Sequence, residues 1–174
     1  LYLFNMRFLL LFTFLITNVL ADEISGITNI VIHKVPKTYD NVIFLDKKDE
    51  KININDLEGN LLILNFWATW CEPCKEEMPS LSNLQVNPKL NKLKIFPINI
   101  GKENLEKINK FFIDLDIENL DPYFDPPTTL AKKFSLRGVP TSILFNKNGQ
   151  EFARIIGSIN FEDKNFINWI KNYN

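Results

Sequence analysis

The sequence predicts an α/β domain built on a mixed β-sheet covered by helices, and three observations carry that prediction. The run Leu61-Leu-Ile-Leu-Asn-Phe-Trp67 is almost continuously apolar, as a strand buried on both faces requires. Strand-like runs then alternate with stretches of helical periodicity as far as Phe134. Near the end, Asn146-Lys-Asn-Gly149 separates two apolar runs with residues that tolerate positive φ, the mark of a closing hairpin.

Taken in order, the chain opens with a targeting segment. Arg7 is followed by an apolar stretch that ends in Val19-Leu20-Ala21, the pattern of a secretory signal peptide. Residues 1–21 are therefore expected to be a signal peptide or, uncleaved, a membrane anchor; Met6-Arg7 makes a more ordinary start than Leu1. Residues 22–40, polar and carrying Pro36, read as a linker or loosely packed arm, and residues 41–174 as the folded domain. Val42–Leu45 and Ile52–Ile54 flank the charged turn Asp46–Lys51, an N-terminal β-hairpin.

Pro73 sits where a helix would begin and its missing N–H costs nothing. Met78, Leu81 and Leu84 continue that helix at the right spacing, and Pro79 is expected to kink it. Leu93–Ile100 reads as a strand in which Pro97 predicts a bulge. Leu105, Ile108, Phe111, Phe112 and Leu115 mark one face of an amphipathic helix. Pro122–Phe124 reads as a short extended piece, and Asp125 caps a helix bearing Leu130 and Phe134. Thr141–Phe145 and Glu151–Ile156 form the closing hairpin. Asn160 then caps a last helix with Phe166, Trp169, Ile170 and Tyr173 on one face.

Composition narrows the function. With 20 Lys+Arg against 21 Asp+Glu the net charge is -1, which argues against a nucleic-acid partner. The only two cysteines share one C-x-x-C, neither a spread disulfide framework nor a full zinc ligand set. His33, the only histidine, reads as an ordinary surface residue, so no metal site and no cofactor are expected.

Cys71 and Cys74 lie at a strand-to-helix junction, close enough to form a disulfide within one turn. The first thiol meets the unpaired N–H groups and dipole of the helix start, which favour a thiolate. The second lies a turn further in, shielded and placed to resolve a mixed disulfide. Cys71 is thus the expected nucleophile and Cys74 the resolving thiol. Glu72 opposes a thiolate by like-charge repulsion, which pushes the pair toward the reducing side. It is also simply a good first-turn residue. An X–Pro bond such as Val139–Pro140 is the one inexpensive place for a cis peptide, and a turn there would expose the Val139 backbone to an extended substrate.

Phe66-Trp-Ala-Thr-Trp-Cys-Glu-Pro-Cys-Lys-Glu-Glu-Met-Pro79 resembles the active-site stretch of the thioredoxin superfamily, most closely its extracytoplasmic TlpA/ResA-like branch. Arg137-Gly-Val-Pro-Thr141 resembles the loop that faces the cysteines there, with a cis proline at Pro140, and the closing hairpin also matches. The resemblance covers about residues 40–174 and implies a thioredoxin fold with a central helix–strand insertion between Gly101 and Phe124. Plain thioredoxins carry a buried Asp where this chain has Asn65. The resemblance offers Glu77 as the proton-handling group instead, its alternative being a solvated helix residue. Trp70, Glu72, Pro73, Val139 and Pro140 make up the expected substrate-binding surface.

The sequence therefore points to an exported or membrane-tethered protein-disulfide reductase. The resemblance implies a membrane thiol transporter as electron donor, and apocytochrome c or an oxidase copper-site protein as substrate. Two rivals compete with it. A copper-binding assembly protein would use the same dithiol but lacks a His or Met cluster. A peroxiredoxin-like peroxidase would need a Pro-x-x-x-Thr-x-x-Cys loop, which is absent around Cys71.

Overall fold

The computed structural model describes residues 26–174, and the expected export segment 1–21 lies outside them. No helix among the described residues is long and apolar enough to cross a membrane. Among the described residues eight strands form one sheet: β1 (Ile30–Lys37), β2 (Ile43–Leu45), β3 (Lys51–Asn53), β4 (Leu61–Trp67), β5 (Leu93–Asn99), β6 (Tyr123–Phe124), β7 (Thr141–Phe145) and β8 (Glu151–Ile156). Their spatial order is β1-β8-β7-β4-β5-β6-β2-β3. The helices are α1 (Glu72–Gln85), α2 (Leu105–Asp114), α3 (Thr129–Lys133) and α4 (Lys164–Ile170).

Every residue of β4 is buried, and the two-residue period of a strand divides them between two cores. Leu61, Ile63 and Trp67 pack with Met78 and Leu81 of α1, Phe111 and Phe112 of α2, and Phe166 and Ile170 of α4. Leu62, Leu64 and Phe66 face the other way, against Phe44, Phe134 and Phe145. Asn65 belongs to the first set by register, so the sheet presents its amide to α1. β4 runs parallel to β5 and antiparallel to β7, with Phe66 opposite Thr141. The ends of β4 and β5 and the start of β7 thus meet at one edge of the sheet.

Four details differ from the sequence expectations. Residues 30–37 are not a linker but edge strand β1, paired antiparallel with β8 from Ile30 opposite Ile155. Pro36 falls in the irregular part of that pairing, at the sheet edge, where a missing donor is tolerated. His33 is no free surface residue: its Nε2 lies 2.7 Å from Glu151 Oε1, a buried carboxylate that also accepts from Tyr39 and from both Nε and Nη2 of Arg154. Pro97 makes no bulge, because Asn65 pairs with Pro97 in unbroken register and β6 pairs only from Ile98 onward. The last helix starts later than Asn160; Asp163 caps it, accepting from Asn165 N and Phe166 N.

The hairpin β2–β3, the strand β6 and the helix α2 stand where the sequence put them. β6 joins the sheet between β5 and β2, so the 101–124 segment contributes both a covering helix and a strand. Asp125 does cap α3, from four residues before its start, accepting from the backbone N–H groups of Leu130 and Ala131 and from the Thr129 hydroxyl. α1 runs on through Pro79 as one continuous helix.

Candidate active site

The chain leaves β4 at Trp67 and reaches α1 through Ala68, Thr69 and Trp70. Cys71 is the N-cap of α1, and its Sγ accepts from Cys74 N at 3.2 Å. Cys71 and Cys74 are joined as a disulfide, with their Cα atoms 5.3 Å apart. Both cysteines are buried, Cys71 at 4% exposed and Cys74 at 0%, so what exposure the pair has belongs to Cys71. An extended N-cap followed by Pro73 in the first turn leaves the free N–H groups of the helix aimed at Cys71, which lowers the cost of negative charge on its sulfur.

Around this pair the expected surface residues are present. Trp70 is 66% exposed beside Cys71 and offers a large apolar wall. Glu72 and Pro73 are exposed at the helix start, and Glu72 is held by Lys75 Nζ at 2.7 Å, which offsets its repulsion of a thiolate. The Val139–Pro140 peptide is cis, Pro140 is buried, and Val139 packs against both cores. Because Thr141 pairs with Phe66, this loop enters β7 at the same sheet edge as the cysteines.

Glu77 is buried, 2% exposed, on the α1 face that Asn65 meets. Its Oε1 accepts from Asn65 Nδ2 at 2.7 Å and its Oε2 from Ile159 N at 3.4 Å. Burial pushes its pKa up to about 8, against the partial opposition of those two donors. The solvated-helix alternative for Glu77 does not hold. Asn65 Nδ2 also donates to Ser142 Oγ at 2.9 Å, which ties α1, β4 and β7 together.

Sequence reasoning missed Glu103. Its carboxylate accepts from Thr69 N at 3.2 Å, from the Thr69 hydroxyl, from Asn99 Nδ2 at 2.8 Å and from Lys107 Nζ at 3.2 Å. Burial alone would raise its pKa, but those donors together hold it below the ordinary carboxylate value. Glu103 thereby clamps the loop two residues before Cys71 to the end of β5. Asn99 and Lys107 are each four residues away, but the link to the cysteine loop is hidden because Thr69 lies 34 residues away in the chain.

The comparisons agree with this geometry. Residues 33–150 match the AhpC/TSA family. A thiol–disulfide oxidoreductase ResA of Bacillus cereus is 32% identical over 124 residues, 71% of this chain and 70% of that protein. Among solved structures, a secreted thiol–disulfide isomerase from Corynebacterium glutamicum superposes with a TM-score of 0.67 at 20% identity, covering 80% of this chain and 88% of that one. The thioredoxin domain of a Bacteroides vulgatus thiol–disulfide oxidoreductase gives 0.63 at 17% identity, covering 82% and 100%. Both show the thioredoxin fold. With a helix-capping Cys71–Cys74 disulfide at its sheet edge, the chain belongs to the AhpC/TSA family and is a thioredoxin-fold thiol–disulfide oxidoreductase of the ResA type.

Proposed function

We propose that the protein is an extracytoplasmic protein-disulfide reductase in which Cys71 attacks and Cys74 resolves. The observation that carries this reading is the asymmetry of the pair: Cys71 is the N-cap of α1 and keeps a small exposure, whereas Cys74 lies inside the helix and has none. In the reduced protein the Cys71 thiolate attacks one sulfur of a substrate disulfide. That bond breaks, and the departing sulfur leaves as a thiolate and takes a proton. Cys74, deprotonated, then attacks Cys71 Sγ and frees the second substrate sulfur, which is protonated in turn. The substrate gains two electrons and two protons, and the protein is left as its Cys71–Cys74 disulfide.

Glu77 supplies the base for the second step. A carboxyl whose pKa stands near 8 can accept and return a proton close to neutral pH, as an ordinary carboxylate cannot. Trp70, Glu72 and Pro73 on one side and the Val139–Pro140 loop on the other form the surface that receives substrate. An extended substrate segment pairs with the Val139 backbone, so recognition there reads main chain.

Export rests on the Arg7-to-Ala21 pattern and is supported by likeness to a secreted isomerase. In an oxidising compartment the dithiol must be regenerated, which calls for a membrane thiol transporter as donor. The substrate is a disulfide-bearing protein, with apocytochrome c cysteines and an oxidase copper-site protein as the two candidates. The test is electron transfer from the reduced protein to each candidate in its oxidised form. A two-electron reduction of one of them supports the role, and reduction of neither removes both. N-terminal sequencing of the protein from the extracytoplasmic fraction should find a mature start near Asp22, whereas recovery from the cytosol would contradict export.

A further inference from the structure

A cavity of about 290 Å³ opens at the same sheet edge, two strands away from the cysteine loop. Ile100, Phe124, Pro126 and Pro127 supply its apolar lining, and Asn99 and Lys102 line it as well. Asp125 also borders it, but its carboxylate is engaged by the first turn of α3 and leaves no oxygen to lead recognition. The cavity therefore suits an apolar side chain rather than a charged one.

Its position ties it to the exchange site. Trp67 pairs with Asn99, and Asn99 with Phe124, so one line across the sheet runs from the end of β4 to the cavity wall. Ile100 N donates to Trp67 O at 3.0 Å. Asn99 shares the Glu103 carboxylate with Thr69, so the lining of the cavity and the loop before Cys71 are joined through one part-buried group. In the order β7-β4-β5-β6 the Val139–Pro140 loop lies on one side of the cysteines and the cavity on the other.

We propose that this cavity is a specificity subsite that receives an apolar side chain of the substrate protein, two residues from the cysteine under attack. The inference rests on the reductase reading and deepens it. Adjacent strands lie about 4.8 Å apart, so the cavity is roughly 5–10 Å from the line of β4. An extended peptide covers about 3.3 Å per residue and points alternate side chains the same way. A residue two positions from the substrate cysteine spans about 6.6 Å and faces the enzyme alongside that cysteine. Residues one or three positions away face outward. Backbone pairing at Val139 would thus supply general affinity, and the cavity would choose among partners.

The test is a series of short peptides, each carrying one cysteine in mixed disulfide with glutathione and otherwise Ala, Ser and Gly. A single Leu is moved from one to four positions on either side of that cysteine. Reduction by the wild-type protein should show kcat/KM about tenfold higher with Leu two positions away on one side only, the factor that about 1.4 kcal/mol supplies. Ile100→Glu should bring that ratio to about one, and Ile100→Ala, which enlarges the cavity, should shift the preference from Leu to Phe. Equal kcat/KM for every peptide overturns the subsite while leaving the reductase reading standing. A preference that survives Ile100→Glu overturns its assignment to this cavity. Failure to reduce any peptide overturns the reductase reading and the subsite with it.

Discussion

The side-chain amide of Asn65 donates a 2.7 Å hydrogen bond to the Glu77 carboxylate, joining the centre of β4 to the second turn of α1, the helix that carries Cys74. Asn65 Oδ1, in the same buried space, has no partner. The pair works as a weakly stabilised acid: one good donor and one long one do not offset the burial of the charge, so the proton is held to about pH 8.

This gives stability a defined pH dependence. The folded protein keeps on Glu77 a proton that the unfolded chain releases near pH 4.5, so stability must fall as pH rises from about 4.5 to about 8. Each pH unit in that window costs about 1.4 kcal/mol at most. Glu77→Gln, which cannot ionise, should flatten that decline. Urea midpoints of the oxidised protein from pH 4 to 9 would show it, and parallel curves for the two proteins would contradict it.

The same residue should matter to rate. In Glu77→Gln the release of substrate from the mixed disulfide should slow by about 10²-fold near neutral pH, the lower end of what a positioned base contributes. Attack by Cys71 should change little. Stopped-flow measurement of the two steps across pH 5 to 9 separates them. An unchanged release rate throughout would remove Glu77 from the chemistry.

Asymmetry between the sulfurs predicts trapping. Cys74→Ser should accumulate a covalent mixed disulfide with substrate, and Cys71→Ser should accumulate almost none. Mass spectrometry of non-reduced samples distinguishes them, and stronger trapping by Cys71→Ser would reverse the assignment.

Glu103→Ala would leave the Thr69 N–H, the Thr69 hydroxyl and the Asn99 amide without their acceptor. The expected cost is about 2–3 kcal/mol, the loss of hydrogen bonds to a charged group. In the wild type this stabilisation should weaken in acid: the folded pKa lies below the ordinary value, so the contribution is present above that value and lost as pH falls through the folded one. A denaturation midpoint unaffected by Glu103→Ala would show that the clamp holds nothing.

Much of this architecture was legible in the sequence, and what was hidden shares a cause. The nearly continuous apolar run of β4, the C-x-x-C that contains Pro73 and the Asn-Gly turn are local signals, and each element they imply is present. β1 was overlooked because its β-branched start, Ile30-Val31-Ile32, is followed by polar residues and Pro36, the composition of an arm; only pairing with β8 makes it a strand. The bond of His33 to Glu151 and the place of Glu103 are hidden for the same reason. Their partners, Glu151 and Thr69, lie far away in the chain, and no spacing rule reaches that distance. Glu77 stands between two readings in the sequence, and its burial against Asn65 removes the solvated one.

Reduction potential tests the central claim most directly. No histidine separates Cys71 from Cys74 to steady a thiolate, and the Glu72 that lies between them is paired with Lys75 and adds no such support. A reductase should therefore equilibrate with glutathione buffers near the thioredoxin value of about -270 mV, far from the about -120 mV of a strong oxidant. The Cys71–Cys74 couple is predicted to titrate close to the lower figure. A potential above about -150 mV, in the range of the strong oxidants, would mean that the protein makes disulfides in its partners, and the reductase account would be wrong.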